Sequence, residues 1–179
     1  KGGQDQGNPS HDPDPRLGTF GELKEAIARC HEIGVKVILF YKFTWADTST
    51  EWFNNELYKY AATDFNGNYY PHAGYQYQTM TQLADVNTKR FVSMCTLSEE
   101  LRKIYLNEFK KAVDLGAAGV LIDESQHHGS ANLCFNESHG HRKGEYIYSA
   151  DNQFIKELRE IAPDDFLISG ECSYDMQFQ

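Results

Sequence analysis

Apolar residues along this chain alternate between helical spacing and short unbroken runs. Thr19 with Glu22 three residues later is a capping-box signature, and Leu23, Ala26, Ile27, Cys30 and Ile33 follow at helical spacing. A helix from about Thr19 to Glu32 is expected, closed by Gly34. Val35 to Phe43 is then a nearly continuous apolar run, the pattern of an inner parallel strand covered on both faces. A second capping box at Thr96 and Glu99 opens a helix whose face is Leu97, Leu101, Ile104, Tyr105, Glu108, Phe109, Ala112 and Val113, ending near Gly116. The run Gly119 to Ile122 follows as a strand and stops on Asp123 and Glu124. Ser149 is placed to cap a third helix with inner residues Phe154, Ile155, Leu158 and Ile161, stopped by Pro163. Phe166 to Ser169 is the last strand, and Gly170 and Glu171 come directly after it.

The order is therefore helix, strand, helix, strand, helix, strand. Strands separated by crossover helices form parallel, right-handed units, so the class is α/β. A long insertion at about 44–80, helical around Glu51 to Tyr60 and carrying an Asn66-Gly67 hairpin signal, follows the first strand. A histidine-rich loop at about 125–148 follows the second. Both come after strands, which puts them at the C-terminal edge of the sheet, where barrel enzymes hold their chemistry. Lys1 to Leu17, rich in Gly, Asn, Asp and Pro, is a loop. The expected fold is a (β/α)8 TIM-type barrel present in part, because 179 residues fall short of the roughly 250 of a full one. The chain is read as one partial barrel domain spanning residues 1–179. No Gly-rich phosphate loop follows any strand, which lowers the rival reading of a doubly wound nucleotide-binding sheet.

A formal charge of −9 argues against a nucleic-acid partner, which needs clustered Lys and Arg. No apolar run approaches the roughly 18 residues of a membrane helix, so no membrane partner is expected. No signal peptide opens the chain, and the compartment stays undecided, periplasm or secretion included. An acidic chain with 11 tyrosines suits a neutral polyol, and carbohydrate is the expected partner. The four cysteines, Cys30, Cys95, Cys134 and Cys172, form no C-x-x-C pair; free thiols are expected, with a Cys134–Cys172 disulfide as the alternative.

Side chains alternate along a strand, so Leu121 and Asp123 share one face, as do Leu167, Ser169 and Glu171. Strands lie about 4.8 Å apart, so acids ending two neighbouring strands could approach the roughly 5–5.5 Å separation of a retaining glycosidase pair. Asp123 is assigned as nucleophile and Glu171 as acid/base, Glu being the better acid when crowding by another carboxylate raises its pKa. Glu124 would stand behind them. The alternative is that these acids cap helices or pair with loop Arg and Lys. Tyr41 and Trp45, close to the first strand's end, are candidate sugar platforms, as aromatic faces suit sugar C–H groups.

Asp14-Pro15-Arg16-Leu17-Gly18-Thr19-Phe20, Lys36 to Tyr41, the helix after Met94-Cys95, and Gly119 to Asp123 together resemble the barrel domains of the alpha-amylase and alpha-galactosidase superfamily. Cys134-Phe135-Asn136, His139-Gly140-His141 and Gly170-Glu171-Cys172 resemble, more narrowly, bacterial glycoside-hydrolase-like domains of uncharacterised activity. The alpha-amylase resemblance implies an Asp nucleophile ending the fourth strand and a Glu acid ending the fifth, matching Asp123 and Glu171 in order and type. It also implies an Arg two residues before the nucleophile, where this chain has Leu121, and a His shortly after, for which His127 or His128 would serve. The alpha-galactosidase resemblance draws the acid from a later strand.

His127, His128, His139 and His141 are expected to bind sugar hydroxyls or the carboxylates. With Cys134 they form the alternative of a zinc site whose bound water would attack. The leading expectation is a glycoside hydrolase needing no cofactor or metal. A carbohydrate-binding barrel without turnover comes second, and a metal-dependent hydrolase third.

Overall fold

The computed structural model describes residues 10–72, 91–123 and 132–170. Helix α1, Phe20–Glu32, carries the expected capping box: the Thr19 hydroxyl accepts from the Glu22 N–H, and Glu22 reaches back to the Thr19 N–H at 2.8 Å. Gly34 follows with φ +82°, the left-handed conformation that ends a helix most easily when no Cβ is present. Strand β1, Ile38–Lys42, then pairs parallel with β5, Gly119–Asp123, which pairs parallel with β8, Leu167–Gly170. Helices α3, Glu99–Asp114, and α4, Asp151–Ile161, are the crossovers. The expected β-α-β-α-β rhythm is present, in a three-stranded sheet with β5 at its centre.

One face of this sheet is dry. Tyr41, Val120, Ile122 and Ile168 pack with Leu101, Tyr105, Phe109 and Ala112 of α3 and with Phe154, Ile155 and Leu158 of α4. Phe43 joins them through ring contacts with Tyr105 at 4.9 Å and Phe154 at 5.3 Å. The two helices are tied by Arg102, whose Nε donates to Glu157 at 2.9 Å. The opposite face is built in rows: Ile38, Gly119 and Leu167; Phe40, Leu121 and Ser169; Lys42 and Asp123. Ile38, Phe40 and Leu167 on this face are 44%, 46% and 47% exposed in this chain, while Lys42 and Asp123 at its C-terminal end are buried. In a closed (β/α)8 barrel this face would line the interior.

Both insertions sit beyond the C-terminal ends of strands. The first forms β2, Trp45–Asp47, helix α2, Glu51–Asn55, a 3-10 turn at Leu57–Tyr60, β3, Pro71–His72, and β4, Phe91–Ser93; the strands make an antiparallel sheet in the order β2-β4-β3. Asn66-Gly67 forms the predicted turn, with Asp64 N–H donating to the Asn68 carbonyl and Gly67 at φ +84°. The second insertion folds as a hairpin of β6, Leu133–Cys134, and β7, Glu145–Tyr146, with a 3-10 turn at Glu137–His139 between them.

Two expected caps differ. Ser98 caps α3, accepting from the Leu101 N–H, while the Thr96 hydroxyl donates to the Ile147 carbonyl at 2.8 Å. Ser149 lies before a further 3-10 turn's end and donates to the Tyr146 carbonyl, leaving α4 to begin after Ala150. Thr96 thus satisfies a carbonyl of the second insertion, a long-range partner that local spacing does not register, while Ser149 bonds back three residues within the 3-10 turn.

Candidate functional site

Asp123 ends β5 on the face away from the helices, in register with Lys42 at the end of β1. The two side chains form a buried ion pair, Lys42 Nζ to Asp123 Oδ2 at 3.1 Å. An ammonium this close, shielded from water, favours the charged carboxylate and fixes its orientation. Lys42 was legible only as one polar residue inside an apolar run, a signal the sequence reading passed over. Burial of a lysine in a strand requires an acid opposite, and the parallel register supplies it.

The first insertion, which follows β1, carries buried polar groups of its own: Thr44, whose carbonyl accepts from the Met94 N–H, and Asp47, whose Oδ1 accepts from Ser49 Oγ at 2.6 Å. Ser93 Oγ, paired in register with Trp45, accepts from Asn132 of the second insertion at 3.0 Å. Glu171, Glu124, His127 and His128 lie outside the described residues. The last described pairing of β8 is Gly170 with Ile122, one position short of Asp123.

Tyr41 belongs to the opposite layer. Its ring stacks on His11 at a centroid distance of 3.9 Å, and its hydroxyl donates to the Glu108 carbonyl of α3, with burial pushing its pKa upward. The expected sugar platform is corrected here: strand alternation turns Tyr41 into the core and gives the mouth to Lys42. Trp45 lies in β2 and is only 4% exposed, so it also presents little surface to a ligand. His11, unremarked in the sequence, ties the N-terminal loop to two elements. Its Nε2 accepts from the Lys42 N–H at 3.2 Å and its Nδ1 lies 3.4 Å from Glu108 Oε2. An accepting Nε2 means neutral imidazole, and burial lowers its pKa accordingly.

His139 and His141 of the second insertion are also placed differently from the expectation of sugar contact. His139 and His141 converge with Cys95 and Cys134, all four donor atoms lying within 4.8 Å of one another. His139 Nδ1 is 3.4 Å from Cys134 Sγ, and His141 Nε2 is 3.3 Å from Cys95 Sγ. Cys95 and Cys134 face one another, and the contact pushes the Cys95 thiol up while holding Cys134 below the ordinary thiol range. Cys134 is a free thiol engaged with Cys95, and Cys172, its expected disulfide partner, lies outside the described residues. Cys95 was invisible to the sequence reading as a member because 38 residues separate it from Cys134.

A three-stranded parallel sheet with its crossover helices on one face and its insertions at the strand ends is a fold shared with parts of several larger solved structures. Solved structures of similar shape include an alpha-N-acetylgalactosaminidase from Bifidobacterium bifidum, with a TM-score of 0.68 and 17% identity over 94% of this chain and 25% of that one. An alpha-galactosidase from Thermus thermophilus in complex with stachyose matches with a TM-score of 0.57 and 15% identity over 83% of this chain and 27% of that one. An alpha-amylase from Geobacillus thermoleovorans complexed with acarbose gives 0.55 and 18%, over 92% of this chain and 32% of that one. The chain thus spans only about a quarter to a third of the length of these enzymes, and what it shares with them is the fold. Residues 7–178 match the model of a family described as a domain of unknown function, DUF6259, and the chain belongs to that family. No curated protein matches it.

Proposed function

We propose that this chain is part of a glycoside hydrolase barrel whose reaction takes place at the C-terminal ends of β1, β5 and β8. The observation that carries the reading is Asp123: a buried carboxylate at a strand end, turned from the helical core and held by Lys42 at 3.1 Å. In a retaining mechanism Asp123 attacks the anomeric carbon, and Lys42 keeps it ionised and aimed. Glu171, which follows the Gly170 partner of Ile122, is assigned the acid/base role on its place in the chain. The fold shared with enzymes acting on alpha-linked sugars supports alpha-glycosides as the first substrates to try.

Screening the protein on aryl alpha-glycosides tests the reading. Asp123→Gly, with its fold checked by circular dichroism because it strands the Lys42 ammonium, should abolish turnover, and added azide should restore it, releasing the aryl group as a phenol and the sugar as a glycosyl azide. Undiminished turnover by this variant rules out Asp123 as nucleophile. The ion pair itself favours a second reading, a barrel that binds carbohydrate without cleaving it, because an ammonium on the carboxylate weakens it as a nucleophile. Calorimetric binding of an oligosaccharide that is recovered intact after prolonged incubation would select that alternative.

A further inference from the structure

We propose that Cys95, Cys134, His139 and His141 form a structural zinc site that clamps the two strand-end insertions together. Two thiolate sulfurs and two imidazole nitrogens are the donor set of tetrahedral zinc. With Zn–S near 2.3 Å and Zn–N near 2.05 Å, a tetrahedron has S···N edges of about 3.6 Å. The two S···N separations in the structure, 3.3 and 3.4 Å, lie close to that edge. A small adjustment outward would admit the ion.

The surroundings prepare the donors. His139 Nε2 is 2.8 Å from the Lys59 carbonyl and His141 Nδ1 is 2.9 Å from the Arg142 carbonyl. A carbonyl only accepts, so each imidazole carries its proton on that side and turns a lone pair toward the cysteines. This is the arrangement by which backbone carbonyls fix metal-binding histidines.

The ligands come from distant parts of the chain. Cys95 follows β4 at the end of the first insertion, while Cys134, His139 and His141 belong to the β6–β7 hairpin of the second. Among the described residues they sit at a small satellite core of Ala62, Cys95, Cys134, Ile147 and Tyr148, with Tyr70 and Leu97 packed against it, where a bound ion would add to modest apolar burial. Four protein donors close the coordination sphere, leaving no position for an attacking water. The site is therefore a fastener for the two strand-end insertions.

Untagged full-length protein, purified without chelators, should contain stoichiometric zinc by plasma mass spectrometry. Exchange for cobalt should give the thiolate-to-cobalt charge-transfer band and the intense visible bands of a tetrahedral ion. Cys134→Ser and His139→Gln should each weaken metal binding by roughly 100-fold or more, whereas Cys30→Ser should leave it unchanged. Because a ligand variant could unfold, the wild-type metal content and cobalt spectrum are the deciding measurements. Wild-type protein that neither carries zinc nor develops thiolate–cobalt bands overturns the proposal. So does a Cys95–Cys134 disulfide found by alkylation and peptide mass mapping of the unreduced protein.

Discussion

At the scale of single residues, the lysine–aspartate pair is where local chemistry has the most leverage. Truncating one partner of a buried pair leaves the other as an uncompensated charge, so Lys42→Met should cost about 3–5 kcal/mol in urea denaturation. The double variant Lys42→Met, Asp123→Asn should recover part of that loss, because no charge is then stranded. Asp123 was legible from the sequence, since an acid closing an apolar strand violates the pattern of its own run. Lys42 was not, because its meaning depends on which residue lies opposite it on a strand 81 positions later. Tyr41 illustrates the same limit: alternation says that Tyr41 and Lys42 face opposite ways, but only the packed helices decide which faces the core.

For the elements, the closest backbone approach is at Gly119, where a Cβ would stand 2.4 Å from the Leu167 carbonyl oxygen and 2.7 Å from its Cβ. Gly119→Ala should pry β8 from β5 and destabilise the chain by about 1–3 kcal/mol in chemical denaturation, without altering helix content in the surviving folded fraction. The start of α3 offers a second check. Ser98→Ala should cost about 1 kcal/mol by removing the side-chain acceptor for the Leu101 N–H. Helices and parallel strands were readable because their periodicities of 3.6 and 2 are imposed by burial within each segment. The caps were misassigned, and the second insertion's hairpin went unforeseen, because Thr96, Ser149 and Cys134 answer to partners dozens of residues or a whole turn away.

Across the whole molecule, acid should loosen the fold in two stages. His11 is buried and neutral with its pKa lowered, so below about 6.5 the unfolded chain binds the extra proton and stability falls with pH. Glu108 is held below the ordinary carboxylate range overall: burial pushes it up, but hydrogen bonds from His11 and Lys111 outweigh that. Its contribution is present above about pH 4.5 and is lost as pH falls through the lower folded value. Urea midpoints measured across this range should decline on the acid side, and His11→Gln should flatten the first stage and, by loosening the bond that helps hold Glu108 down, shrink the second. The alternation of helices and parallel strands is legible along the described residues, whereas the Cys–His cluster depends on contacts between insertions that only the folded molecule reveals. The flank carrying Ile38, Phe40 and Leu167 has a further consequence under the proposed barrel. Such a row is where a barrel closes over its own interior, so Phe40→Lys, which leaves the helical side untouched, should strand an ammonium there and lower the urea midpoint of the full-length protein.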